Sequence, residues 1–283
     1  MSAGQPTGKT VKISLLPCET PAALHNGTVI RRLSLLAALV LAGSALVAPV
    51  PERVELVALP LFATGPDQDG ARTGRLGHVA TDPRCADGAG TWLGTRWTSP
   101  YRWWFNASSV PAYLGGPDRA REAARTAARN LDDGRNECGI GGGLAVSQRH
   151  LGDTTRAPGV GADGGCGSRD GRNVIAFGEL PGGLLALTCL WWVRGRGDGR
   201  TIEADIRIST TADLFTFDPT AGCGERWDLE GTLTHEFGHV FGLGHVPFAE
   251  HGTLTMSDGL PSCTARFRSL GLGDLMTLRR HYN

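Results

Sequence analysis

Three histidines and one glutamate in the segment HEFGHVFGLGH constrain this chain more than any other feature of its sequence. Residues four apart lie on one face of an α-helix, with Cβ atoms about 6 Å apart, so His235 and His239 can reach the same ion. Gly242 can leave the helix with a positive φ, which turns the chain back and brings in His245. The segment therefore predicts a helix, a glycine turn and a metal site with three imidazole ligands.

The chemistry of these ligands favours a catalytic zinc ion. Three protein ligands leave the fourth tetrahedral position open, as in catalytic rather than structural zinc sites. Glu236 follows the first ligand, where a carboxylate can accept a proton from the attacking water and later deliver it to the leaving group. The prediction is one catalytic Zn²⁺ held by His235, His239 and His245, with Glu236 as general base and acid. A helix with incidental histidines, or a metal-free protein that retains the motif, is the alternative.

Together with further segments, this motif resembles the metzincin metallopeptidases, in particular the matrixin-like zinc proteases that bacteria secrete. The stretch HGTLTMS stands at the distance of the family's methionine turn, and Met256 matches the methionine that lies beneath the metal. Residues 200–208 resemble the family's substrate-side edge strand. Ser109-Val-Pro-Ala, followed by an alanine-rich helix, resembles the start of its domain. The resemblance covers about residues 97–283.

The resemblance implies a fold of the α+β class. The expected structure is a zincin-type catalytic domain with a twisted mixed sheet of about five strands, an antiparallel edge strand at residues 202–208, a zinc-site helix, the Met-turn and a C-terminal helix. It also implies a zinc metalloendopeptidase, a hydrolase whose protein or peptide substrates lie antiparallel along that edge strand. Two alternatives stay open: a zinc hydrolase of a non-protein amide substrate, and a catalytically silent binding protein with the same fold.

Local patterns predict several elements of this domain. Alanines recur at helical spacing after Pro117, Asp228 is a suitable N-cap for the zinc-site helix, and a last helix is expected over residues 274–281. Apolar and aromatic runs between turn-rich stretches predict strands. The strand candidates are residues 97–105, 139–147, 173–178, 184–193 and 202–208.

An apolar run near the start predicts export. Arg31 and Arg32 precede residues 33–48, which are almost wholly apolar, shorter than the ~20 residues that span hydrocarbon, and rich in small side chains near their end. We expect an N-terminal extension and secretory signal peptide over residues 1–48, a linker or short N-terminal extension over 49–96, and the metallopeptidase domain over 97–283. The protein is then secreted, with an uncleaved anchor as the alternative.

The six cysteines beyond the signal region form an even set, which is typical of disulfides in an oxidising compartment. The pairing we favour is Cys223–Cys263, Cys166–Cys189 and Cys85–Cys138. Only the first pair has an argument behind it, because it would tie together the two segments that face each other across the metal. The alternative for Cys85 is a latency switch, since residues 83–87 partly resemble the family's zymogen segment and a free thiolate can bind zinc.

Charge and loop composition bear on the partners. The chain carries 28 basic and 28 acidic residues, so no net field draws it to nucleic acid or to an anionic membrane surface. The expected partners are protein or peptide substrates, and the oligomeric state is not predicted. Asp163, Asp170 and Asp198 stand in glycine-rich loops where Ca²⁺ could bind, although solvated aspartates are the commoner case.

Overall fold

The computed structural model of the protein describes residues 52–66, 82–145, 147–220 and 222–283. These residues belong to one compact unit that begins at Val50. The predicted signal segment, residues 1–48, lies outside the described residues. Within the described ranges, no helix combines the length and the apolar character that crossing a membrane requires.

The described residues form twelve strands and four α-helices. The strands are β1 Val54–Pro66, β2 Thr91–Trp92, β3 Thr95–Arg96, β4 Tyr101–Phe105, β5 Gln148–Asp153, β6 Val174–Gly178, β7 Leu184–Val193, β8 Gly199–Ser209, β9 Phe215–Thr216, β10 Trp227–Asp228, β11 Leu243–Gly244 and β12 Gly259–Ser262. The α-helices are α1 Pro117–Asp132, α2 Leu229–Val240, α3 Phe248–His251 and α4 Leu272–Tyr282. Short 3₁₀ helices span Pro83–Cys85, Ala107–Ser109, Ala112–Leu114 and Arg266–Arg268.

One mixed sheet organises the molecule, in agreement with the predicted α+β class. Its strand order is β12-β1-β7-β8-β6-β4-β5, and β3 pairs with β8 beside this path. Strand β7 runs antiparallel to both of its neighbours, β1 and β8, whereas every other pair in this sheet is parallel. The sheet has eight strands and not the expected five or so, because β1, β3 and β12 join the five strands β4 to β8.

Strand β1 corrects the expectation that residues 49–96 are a linker or short extension. It pairs with β7 from Val54 to Phe62 and with β12 from Phe62 onwards. Leu59 and Leu61 on one face are buried, whereas Leu56 on the other face is exposed. This alternation is the pattern of a half-buried strand, so the segment contributes a strand to the main sheet.

Strand β8 corrects the expectation of an edge strand at residues 202–208. It pairs with β7 on one side and with β6 on the other, and Ala204, Ile206 and Ile208 are fully buried. Near-continuous burial is typical of a central strand, because both faces are covered. The edges of the sheet are β12 and β5, and both of these strands run parallel to their neighbours.

The helices agree closely with the sequence patterns. Helix α1 buries its alanine face and packs on α2, and the Asp228 carboxylate caps α2 by accepting a hydrogen bond from the Gly231 N–H at 2.8 Å. Helix α4 begins two residues earlier than predicted. The strand expected over residues 139–147 is wrong, because the described residues there have no regular structure, Gly139 and Gly142 have positive φ values, and β5 begins only at Gln148.

Candidate metal centre

Helix α2 and the turn after it bring the three histidines of the motif together. His235 and His239 lie one turn apart on α2 and are fully buried. Gly242 ends the helical path with φ +94°, and a Cβ there would lie 2.4 Å from the Thr95 carbonyl oxygen, so a side chain at this position would clash with backbone. Strand β11 follows and leads directly to His245.

The Nε2 atoms of the three histidines form a small triangle. They are 2.9 Å apart between His235 and His239, 3.1 Å between His235 and His245, and 2.9 Å between His239 and His245. Tetrahedral zinc with Zn–N bonds of about 2.0–2.1 Å places its ligand atoms roughly 3.3 Å apart, which is close to these distances. Within the described residues, this trio is the one group of three His, Cys, Asp or Glu side chains that are close enough to share an ion.

The protonation state of the histidines fits a metal ion. His235 Nδ1 lies 2.6 Å from the Thr255 carbonyl and His239 Nδ1 lies 2.8 Å from the Leu243 carbonyl, so each Nδ1–H donates and each Nε2 carries a lone pair. Burial lowers the pKa of His235 and His239 well below the usual value and that of His245 to about 4. Three neutral imidazoles therefore aim their lone pairs at one point, an arrangement that a shared cation would stabilise.

Glu236 is fully buried and follows His235 on α2. Its Oε2 accepts a hydrogen bond from Thr188 Oγ1 at 2.5 Å, whereas Oε1 has no partner in the described part of the chain. Burial raises the pKa of Glu236 to about 8, and the Thr188 hydrogen bond opposes that shift only in part. A buried oxygen without a partner is costly, so Oε1 is available to a water molecule or ligand at the metal.

Thr188 is the residue of this site whose role the sequence analysis did not find. It lies on β7, in the apolar run LLALTCLWW, and its side chain is fully buried. A single hydroxyl in an otherwise apolar strand needs a buried partner, and here that partner is Glu236. The isolated polar residue was therefore a usable signal, although its partner could not be deduced from the sequence.

Met256 packs closely against α2. It is almost completely buried, and a Cβ on Gly238 would lie 2.2 Å from Met256 Sδ. The thioether therefore occupies the space beside His239 that a larger residue at position 238 would fill. The structure thus brings Met256 to the helix that carries two of the histidines.

Helix α4 holds the segment before Met256 in place. The Asp274 carboxylate accepts hydrogen bonds from the Thr255 N–H at 2.9 Å and from the Gly271 N–H at 3.0 Å. Thr255 Oγ1 also donates to the Ser269 carbonyl at 2.8 Å, and Val246 N–H donates to the Met256 carbonyl at 2.9 Å. Because the Thr255 carbonyl faces His235 Nδ1, these bonds fix the orientation of a candidate metal ligand.

The six cysteines lie in three pairs at disulfide distance, and these are the pairs that the sequence predicted. They are Cys85–Cys138, Cys166–Cys189 and Cys223–Cys263, with Cα atoms 5.2, 5.7 and 5.4 Å apart. The third pair joins the segment before α2 to the segment after β12. Since Cys85 is bonded to Cys138, it is not a free thiol, and the alternative of a cysteine latency switch is contradicted.

The loop aspartates considered for Ca²⁺ do not come together. Asp163 accepts a hydrogen bond from the Gly165 N–H, Asp170 from the Arg172 N–H, and Asp198 from Trp92 Nε1. Each carboxylate thus accepts a hydrogen bond from its own turn or from an aromatic neighbour. In the described ranges these residues form no cluster of three ligands.

A scan of protein-family models finds no match to this chain. A search of the curated proteins finds no match either. Any assignment of function therefore rests on the residues and geometry of the site.

Proposed function

We propose that this chain is an exported zinc-dependent endopeptidase of the metzincin type, with a zincin-like domain. The observation that carries the proposal is the convergence of three neutral imidazoles next to a buried carboxylate that has one unpartnered oxygen. Nitrogen donors of this number suit zinc with one position left open for chemistry. Met256 against α2 and the glycine turn at Gly242 support the same proposal, because both match the motif's expected environment.

In this proposal His235, His239 and His245 hold the ion, and Glu236 handles the protons. Bound zinc would supply Lewis-acid polarisation of the scissile carbonyl. Glu236 accepts a proton from the attacking water and passes it to the departing nitrogen, while Thr188 holds the other carboxylate oxygen. The carboxylate thereby keeps one orientation during both proton transfers.

Export is the second part of the proposal. The three cysteine pairs suit an oxidising compartment outside the cytoplasm. The apolar run over residues 33–48 suits a secretory signal, which would be removed before the domain acts. Both features indicate a location outside the cytoplasm, and neither depends on the metal site.

The test is hydrolysis of casein by the disulfide-bonded, zinc-loaded protein, with its metal content measured and any internal inhibition released. We expect a chelator to abolish hydrolysis and Glu236→Gln to lower kcat/KM by about 10²–10⁴-fold, since general acid–base catalysis contributes that much. Glu250→Gln is the matched control, because Glu250 is an exposed carboxylate on α3. It should leave the rate unchanged.

The outcome also separates the two alternative functions. Zinc binding with hydrolysis of small amides but not of peptides would favour a zinc hydrolase of a non-protein substrate. Zinc binding with no hydrolysis of either, after release of any internal inhibition, would favour a catalytically silent binding protein. Equal rates for Glu236→Gln and the unchanged chain would contradict the proposed mechanism.

A further inference from the structure

Strand β1 fills a slot that leads past the metal centre. The slot is the space between β7 and β12, and β1 runs antiparallel to β7 and parallel to β12 within it. Strand β7 pairs with Val54–Phe62 and β12 with Phe62–Pro66, so the two pairings meet at Phe62. Neighbouring strands lie about 4.8 Å apart, so at this point the slot has the width of one extended chain. Without β1, both β7 and β12 would present unpaired backbone groups to that space.

Both walls of the slot belong to the metal centre. On one wall, Thr188 of β7 faces Leu59 across the strand pair and hydrogen-bonds to Glu236. On the other wall, the Phe62 N–H donates to the Asp258 carbonyl at 3.3 Å, and the Asp258 N–H donates to the carbonyl of Val246, the residue after His245. The chain from Leu59 to Phe62 therefore contacts, on one side, the strand whose Thr188 holds Glu236 and, on the other, a segment bonded to the residue after His245.

The side chains of β1 divide between the two faces. Directly opposed residues in a strand pair point to the same face, so Leu59 opposite Thr188 and Leu61 opposite Ala186 both face α2. Leu59 is 7% exposed and Leu61 is fully buried. The other face leaves Val54, Leu56 and Phe62 exposed by 44%, 46% and 49%. The strand is thus held by its backbone and by two leucines.

We propose that the slot between β7 and β12 is the peptide-binding cleft of the metal centre and that β1 occupies it as an internal, substrate-like strand. The ligands of the cleft are extended peptides with an aliphatic side chain at the position of Leu61. The chain is inhibited while β1 is seated and becomes active when β1 is displaced or removed. This inference rests on the proposed function and names its substrate class and its regulation.

The seated strand explains how access to the centre is controlled. Strand β7 is paired on both sides, with β1 and with β8, so an incoming peptide finds no free edge there. Glu236 is fully buried while β1 is seated. Because β1 is part of the same chain, its effective concentration reaches the millimolar range, and a free peptide competes poorly with it.

The first experiment compares two charged substitutions on β1 in the full, zinc-loaded chain. The probe is a fluorescein-labelled peptide of residues 54–66, and its binding is followed by fluorescence anisotropy in a Glu236→Gln background that prevents cleavage. Leu61→Asp places a carboxylate in an apolar site and should release the strand. Leu56→Asp places the same charge on the exposed face and is the matched control.

We expect the Leu61→Asp variant to bind the labelled peptide at least tenfold more tightly than the Leu56→Asp control or the chain with an unsubstituted β1. With Glu236 restored, the same variant should hydrolyse a leucine-containing peptide at least tenfold faster than the control. Zinc content and a cooperative unfolding transition establish that Leu61→Asp is folded. A folded Leu61→Asp variant that binds no more peptide than the control overturns the inference.

A second route keeps Leu61 unchanged. A protease recognition sequence inserted between residues 66 and 82 is cut after folding, which removes the covalent link but no side chain from the slot. Excess labelled peptide should then exchange with the cut strand, whereas the uncut chain should exclude it. Failure of a fully cut, folded and zinc-containing chain to take up the peptide also overturns the inference.

The outcomes separate this inference from the proposed function. Peptide binding that appears on release of β1 without any hydrolysis supports the cleft and contradicts the endopeptidase. Rapid hydrolysis by the uncut chain, while the β1 amides stay protected from hydrogen exchange, contradicts the internal inhibitor and leaves the endopeptidase in place.

Discussion

The hydroxyl of Thr188 is the one protein group that hydrogen-bonds to the Glu236 carboxyl in the described residues. Thr188→Val keeps the shape of the side chain but leaves both carboxyl oxygens without a partner in the metal-free protein. We expect a loss of about 1–3 kcal/mol in the free energy of unfolding, the cost of a buried unsatisfied group. Urea denaturation of the metal-free protein measures it, and Thr188→Ser should restore most of the stability.

Thr232 supplies the matched control for this prediction. It lies on α2, is 1% exposed, and its Oγ1 has no hydrogen-bond partner among the described residues. Thr232→Val should therefore be neutral or stabilising, because no bond is lost and an unsatisfied hydroxyl is removed. If both substitutions cost the same, the Thr188–Glu236 bond does not contribute to stability.

Gly238 and Met256 form a second pair, in which the effect of one substitution on the free energy of unfolding depends on the residue at the other position. Alanine is favoured over glycine inside a helix by about 1 kcal/mol, but a Cβ at position 238 would lie 2.2 Å from Met256 Sδ. Gly238→Ala alone should therefore destabilise the protein by roughly 1–3 kcal/mol through overpacking. In a Met256→Ala background the obstacle is absent, so the same change should become stabilising. A double-mutant cycle from urea unfolding tests this change of sign.

At the scale of elements, α4 is attached to the segment before Met256 through Asp274. Burial raises the pKa of this carboxyl to about 7. Between roughly pH 4 and pH 7 the folded state keeps a proton that the unfolded state has lost, so Asp274 makes stability fall as pH rises through this window. We expect Asp274→Asn to flatten the dependence of unfolding free energy on pH there by a few kcal/mol. Denaturation at several pH values measures the slope.

The control for this prediction is Asp118→Asn on α1. The Asp118 side chain is 89% exposed and forms an ion pair with Arg121 at the surface. Its removal should leave the slope between pH 4 and pH 7 unchanged, because an exposed pair is screened by solvent. An unaltered slope in Asp274→Asn would show that the Asp274 carboxyl is not the group that titrates.

For the molecule as a whole, the sequence predicted what depends on residues close together in the chain. The spacing of His235 and His239 determines one helical face, Gly242 determines the turn, and the alanine pattern after Pro117 determines the buried face of α1. Each of these features follows from helix pitch or from one backbone conformation. The convergence of the histidines could therefore be anticipated before any tertiary contact was known.

Strand pairing could not be predicted in the same way. The partner of β1 in the sheet is β7, which lies far along the chain, and nothing local in residues 54–66 identifies it. The edge expected at residues 202–208 was wrong for the same reason, because β8 becomes interior only through pairing with both β6 and β7. The gain of β1 is a separate matter, because it extends the sheet beyond β7, whereas β8 is interior with or without it.

A bound metal should stabilise the whole fold, because it binds the folded state and finds no preformed site in the unfolded chain. At a free zinc concentration a thousandfold above Kd, linkage contributes about 4 kcal/mol, which corresponds to a rise in Tm of roughly 10 °C for a domain of this size. We expect a chelator to remove that increment, and His245→Ala to abolish the difference between zinc-loaded and chelated protein. His150→Ala, which removes an imidazole that contacts Trp103 instead, should preserve the difference. The contradicting result is a zinc-loaded protein of confirmed metal content whose Tm equals that of the chelated protein. It would show that the three imidazoles do not bind the ion preferentially in the folded state.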